Sequence, residues 1–385
     1  MLGRLRSAPG CESSGSVCYA APCSKPYRIN IIPDIEGRLE LYKILPVSGS
    51  LTRSDRGPKG SDLNLWHVPN FSRIVWRPCL LIAMSGTKSK PTVTIRDLDT
   101  YDDLKQVEAL ERTAWGLADQ DVTPLTLAIA TRHAGNIWLG AFDGAKLVGF
   151  AFGFLGQENG HLMVHSHMLA VLAAYQNSDL GRKLKLAQRD RVLALRLNGV
   201  SINLMTWTFD PLQSKNAHLN FAKLGVIASA YKVNFYGPQT SSVLHQNGTD
   251  RLWVSWPLSS RRVKERLQGK DNRPEMLDTL KTLSPLIGFG GHGRPVRGDL
   301  FEATRRQRIA IEIPGDIGTV ERKDPSLAAE WRNETRWAFT EALGAGFFVA
   351  EFCRSVRGQQ GPGVYLLEKG SVEDLVPELM REPVK

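Results

Sequence analysis

Between Leu162 and Leu197 the chain changes its hydrophobic period, and this change narrows the choice of folds more than any other feature. Leu162 to Leu172 is an apolar run of strand length that carries His165 and His167. A strand alternates its side chains, so the two imidazoles share a face with Leu169 and Val171. A turn follows, and from Leu180 apolar residues return at helical spacing. Gly181 frees the backbone at the helix start, and Arg182, Lys183 and Lys185 occupy its first turn. Cations there oppose the helix dipole, which favours negative charge at that end. An anion on the free N–H groups relieves the conflict, and a pyrophosphate suits it. Solvated Lys and Arg at an ordinary strand–helix junction give the same pattern, so context decides.

The context is an ordered series of periods. Val93 to Ile95 reads as a strand and Asp97 to Ala114 as a helix, with Leu104, Val107, Leu110 and Glu111 at 3.6-type spacing. Pro124 opens a second helix. Strands are expected at Ile137–Phe142, closed by Asp143-Gly144, then at Leu147–Leu155 and Leu162–Leu172. A helix over 180–197, a strand over 200–209, a helix over 215–224 and strands over 227–235 and 251–256 complete the series. The order is β-α-α-β-β-β-α-β-α-β-β.

This order resembles the GNAT (Gcn5-related) N-acyltransferase superfamily, an α/β fold with a mixed central sheet flanked by helices. Gln176-Asn177-Ser178-Asp179-Leu180-Gly181 is similar to its acyl-CoA motif, (Arg/Gln)-x-x-Gly-x-(Gly/Ala), with Asp179 where the middle Gly belongs. A carboxylate beside a pyrophosphate is unhelpful unless it points away or caps the helix. Asn216 to Val226 resembles the family's Asn-x-x-Ala-x-x-x-Tyr-x-x-x-Gly-Phe helix, with Phe221 in place of the Tyr that often protonates the leaving thiolate. HSHML, LKLAQR and WTFDPL are similar to an uncharacterised branch of predicted acetyltransferases with a C-terminal extension. The resemblance covers 93–257.

It implies transfer of an acetyl or other short acyl group from its CoA thioester directly to an amine, with acetyl-CoA as co-substrate. Main-chain groups of Leu169, Ala170 and Val171 would pair with the pantetheine arm. Gln176, Asn177, Ser178, Asp179, Leu180, Gly181, Arg182 and Lys183 would surround the pyrophosphate, with Asn216 and Phe221 beside the arm. His165 stands where some members hold a catalytic carboxylate, and a His serves near neutral pH. His167 and Asp210 are further candidates in the cleft. Packed histidines and a helix-capping Asp210 account for the same residues equally well. The rival is a non-catalytic acyl-CoA-binding or regulatory module, favoured by Asp179 and Phe221.

Residues 1–90 read as a disordered or non-native extension, rich in Ser, Gly, Pro and Arg, with Met84 as a plausible natural start. They lack a secretory signal. The acyltransferase domain is expected over 91–258 and a smaller α/β region over 259–385. That region has few core residues and is expected to pack on the domain, over the acceptor cleft or in a homodimer contact.

Composition sets the outer limits. The 385 residues with 42% hydrophobic content suffice for two modest cores. No apolar run approaches the ~20 residues of a membrane span. Residues 1–83 hold half of the net charge of +10, and no basic stripe marks a nucleic-acid face. Of five cysteines only Cys353 lies beyond Cys79, so the body has no disulfide framework and a cytoplasmic setting is expected. Cys11, Cys18 and Cys23 do not form C-x-x-C knuckles, and no metal is implied. Gly288 to Gly293 satisfies G-x-G-x-x-G, but neither a clear strand nor a helix flanks it, and a loop is expected. Ser166 has no G-x-S-x-G elbow, which argues against a serine hydrolase.

Overall fold

The computed structural model describes residues 92–372, except 159, 238–239, 270–272, 355 and 357–361. The extension expected over 1–90 and its four cysteines lie outside the described residues.

Strand β1 (Val93–Asp97) leads into α1 (Tyr101–Trp115). The helix starts later than its periodicity implied, because Thr100 and Asp103 form a reciprocal capping box that fixes its first turn. It stops at Gly116, whose φ of 64° is left-handed. Helix α2 (Leu125–His133) follows Pro124. Strands β2 (Ile137–Asp143), β3 (Lys146–Glu158) and β4 (His161–Val171) form an antiparallel meander with β1 on its outer edge. Helix α3 (Leu180–Ala194) is shorter than expected. It ends before a small hairpin of β5 (Arg196–Leu197) and β6 (Val200–Ser201) around Asn198-Gly199, a turn signal overlooked in the sequence.

Strand β7 (Leu204–Phe209) then enters the main sheet beside β4. The expected helix over 215–224 is split. One α-turn, α4 (Ser214–Ala217), runs into a π-helical segment over His218–Leu224, closed by Gly225 at φ 78°. Strands β8 (Ile227–Lys232) and β9 (Arg251–Pro257) complete this part, with β9 between β7 and β8.

The sheet continues past residue 258. After α5 (Arg261–Leu267) and α6 (Arg273–Thr282) come β10 (Ile287–Phe289), β11 (Pro295–Arg297), α7 (Leu300–Thr304), β12 (Arg308–Ile313), α8 (Ile317–Lys323), α9 (Pro325–Gly344), β13 (Phe347–Cys353) and β14 (Gly363–Lys369). One 12-stranded sheet runs in the order β1-β2-β3-β4-β7-β9-β8-β13-β14-β12-β10-β11. The junction is an antiparallel pair between Val349 of β13 and Ala228 of β8. The core crosses the same junction: Phe221 packs edge-on against Phe209 and Tyr365, and Tyr365 against Phe339. Gly288 and Phe289 lie within the short strand β10, and the stretch turns back through a single 3-10 turn into β11 rather than opening an α-helix. It is a hairpin connection, and the dinucleotide reading fails on its second requirement.

Candidate acyl-CoA site

The sheet opens between β4 and β7. Strands β4 and β7 are parallel neighbours, paired at Val164–Met205 and His165–Thr206. Beyond that point β4 runs on to Val171 with its ladder to β3, and β7 runs to Phe209 with its ladder to β9. The inner edges of 166–171 and 207–209 therefore diverge into a fork. An extended arm entering there meets main-chain donors and acceptors, as a strand added to a sheet edge does. Leu169, Ala170 and Val171 lie on the β4 side of this fork.

The turn from β4 into α3 closes one end of the fork. Two of its residues are left-handed, Asn177 at φ 62° and Asp179 at φ 63°. Asx side chains tolerate that region better than other non-glycine residues. Asp179 thus takes the conformation for which a Gly at that position would be suited. As the residue before α3 it makes no side-chain cap, and its carboxylate turns outward to Arg182 at 3.4 Å. Gly181 is different from the expectation. Its φ is not left-handed, and an added Cβ would meet only Leu169 Cδ2 at 3.7 Å. Its contribution is an open surface on the first turn, not backbone freedom. Gln176 donates from Nε2 to the Val171 carbonyl at 3.1 Å, and Ser178 Oγ donates to Tyr175 O at 2.6 Å. Gln176, Asn177, Ser178, Asp179 and Lys183 are exposed, Leu180 is buried, and Arg182 is half-buried.

On the far side of the fork Asn216 is exposed on α4. Phe221, expected beside the arm, is fully buried between Phe209 and Tyr365 and takes no part in the site. The reason is apolar packing: its ring belongs to the core that joins both parts of the sheet. Asp210 is also committed elsewhere. Both its oxygens accept from Arg332 of α9 at 2.8 Å, one also accepts from Leu212 N at 3.0 Å, and the guanidinium holds its pKa below the usual range against the opposing effect of burial. A carboxylate so paired is a structural anchor, not a proton acceptor, which corrects its place among the catalytic candidates.

His165 and His167 come together. A bulge sets Phe152 opposite Met168 but Phe154 opposite His165, leaving Gly153 to face two residues of β4. A Cβ on Gly153 would come within 2.8 Å of Gln188 Nε2, so glycine lets α3 approach the bulge. The imidazole centroids lie 6.2 Å apart. His165 is buried, shares a hydrogen bond between Nδ1 and Thr206 Oγ1 at 2.9 Å, and stacks on Trp253. Burial lowers its pKa to about 4, helped by the charges of His167 and Lys185. His167 opens to solvent at the mouth, yet the surrounding rings also lower its pKa by desolvation.

One cluster went unnoticed in the sequence. On the opposite face, Lys185 Nζ donates to Ser166 Oγ at 2.7 Å, and Ser166 Oγ donates to Gln188 Oε1 at 2.6 Å. Lys185 is buried 3.6 Å from the centre of the Trp207 ring, and burial pushes its pKa well below the ordinary lysine value. It is therefore not a phosphate-facing cation of the first turn. The signal was available: Lys185, Gln188 and Val192 fall on one inward helical stripe.

Among the described residues no group of His, Cys, Asp and Glu is placed to hold a metal ion, and no helix is long and apolar enough to cross a membrane. The mixed sheet, its meander, its fork and the turn into α3 make an α/β fold with a mixed central sheet flanked by helices. No family profile and no curated protein matches the chain. Similar solved structures include the ribosomal-protein-S18-alanine N-acetyltransferase of Escherichia coli, at 18% identity over 44% of this chain and 95% of that one, with a TM-score of 0.34. A GNAT-family acetyltransferase from Streptococcus pneumoniae matches at 15% identity over 42% and 98%, TM-score 0.34. A putative acetyltransferase of the same family from Desulfovibrio desulfuricans matches at 15% over 43% and 99%, TM-score 0.33.

Proposed function

We propose that this protein transfers an acetyl group from acetyl-CoA directly to an amine. The observation that carries the reading is the β4–β7 fork leading to an α3 N-terminus that has no side-chain cap. The pantetheine arm lies along Leu169–Val171, and the pyrophosphate meets the first-turn amides between Asn177 and Lys183. An N–H of β4 polarises the thioester carbonyl. The amine attacks that carbon, the C–N bond forms, the C–S bond breaks, and CoA leaves as thiolate. With Phe221 in the core, the thiolate leaves without a tyrosine acid from that helix.

We assign proton removal to His167. Its ring stands at the mouth, whereas His165 is enclosed and hydrogen-bonded to Thr206. His167→Ala should lower kcat/KM by roughly a hundredfold or more, the scale of losing a positioned base. It should leave acetyl-CoA affinity unchanged in calorimetry. The neutral imidazole is the active form, and burial lowers its pKa, so the acid limb of the rate profile should lie below pH 6.5. Full activity with an unchanged profile in His167→Ala would remove this assignment. The second reading, an acyl-CoA-binding module without turnover, is favoured by the burial of Phe221. Release of free CoA in the presence of amines separates the two.

A further inference from the structure

We propose that the acceptor is a small primary amine bearing an aromatic ring, admitted end-on beside His167. The inference rests on the acyl-transfer reading and adds a substrate class to it. We place the acceptor recess on the sheet face opposite Ser166, the residue turned towards α3. Its lining is made of rings. His165 stacks on Trp253 at 4.8 Å between centroids, and Phe154 lies 5.4 Å from His165 and 6.0 Å from His167. Tyr236 stands across the mouth, 6.4 Å from His167. Rings attract one another at such spacings, by offset stacking or edge to face. Tyr236 is 37% exposed and His167 faces solvent, so an incoming ring has faces to meet. Arg251 stands at the Tyr236 ring, 5.2 Å from its centroid, and opposes a second cation on the acceptor. Glu158, near Trp253, also has Lys232 beside it.

The walls limit how an acceptor enters. The segment between α1 and α2 reaches β4 through Thr123 and Met168, 3.6 Å apart at Oγ1 and Sδ. The loop between β8 and β9 is tied to that segment. Ala118 N donates to Ser241 Oγ at 3.0 Å, Ser241 N to Asp121 Oδ2 at 3.2 Å, and Ser242 Oγ to Trp115 O at 3.2 Å. A polypeptide crossing the site would have to part these loops. A small amine need not.

The test titrates phenethylamine, spermidine, glucosamine and a lysine-containing peptide into the CoA-saturated full chain by calorimetry. Phenethylamine should bind at least about tenfold more tightly than the other three, the scale of one aromatic contact. Phe154→Ala and Tyr236→Ala should each remove about that factor for phenethylamine and leave spermidine unaffected. If either variant fails to fold, the ranking by the wild-type protein decides. Spermidine, glucosamine or the peptide binding as tightly as phenethylamine overturns the proposal. If phenethylamine ranks first but is not acetylated from acetyl-CoA, the acyl-transfer reading falls while the aromatic ligand class stands.

Discussion

Asp179 shows how one residue can depart from a motif and keep its geometry. The turn needs a left-handed backbone there, and Asp supplies it at some steric cost. Replacing it with Gly removes that strain but adds unfolded-state entropy, so stability should change by less than about 1 kcal/mol. Asp179→Gly also removes a carboxylate from the start of α3. CoA affinity should rise, and a fall measured by calorimetry would place the pyrophosphate elsewhere. His165 makes a second prediction at this scale. Its folded pKa, about 4, lies below the ordinary 6.5, so between those values the unfolded chain binds more protons. Its contribution is complete above pH 6.5 and is lost as pH falls towards 4. Relative to His165→Asn, the native protein should lose roughly 3 kcal/mol across that window. Urea melts at several pH values measure the difference, and parallel pH dependences would show that burial does not depress this histidine.

Elements were legible where period and punctuation agreed. The meander, α3 and β7 could be read from alternation, from Asp143-Gly144 and from helical spacing. Short pieces with little period of their own were not: β10, β11, α7 and α8 are held by neighbours distant in sequence. The π-helical segment keeps a helical pattern and so hid behind it. Motif spacing singled out Gln176 and Gly181 as candidates, but the burial of Phe221 and Lys185 depends on what packs opposite them. Helix α9 makes the contrast plain. Its helical spacing cannot reveal what its arginines hold. Arg332 pairs with Asp210 and donates from Nε to Asn247 O at 2.8 Å, and Arg336 pairs bidentately with buried Asp250. Asn247 and Asp250 lie in the β8–β9 connection that also carries Tyr236, so α9 anchors the end of that connection. Arg332→Ala leaves Asp210 charged and unpaired inside the protein and should cost about 3–5 kcal/mol. A denaturation midpoint close to wild type would show that the pair contributes little.

At the scale of the whole molecule the two parts share a sheet and a core. Phe221, Phe339 and Tyr365 fill one interior from both sides of residue 258. A fragment of 93–258 should therefore bind dye as a loosened state and melt without a sharp transition, because its half of that interior is open. A cooperative melt comparable to that of the full chain would contradict this. The pairing of β8 with β13 has a further consequence during synthesis. Ala228 leaves the ribosome about 120 residues before Val349, and at typical elongation rates this lasts on the order of ten seconds. Throughout that interval β8 presents an unpaired edge to the crowded cell, open to strands of other nascent chains. Slower translation of 258–347 should therefore lower soluble yield without any change in the finished fold.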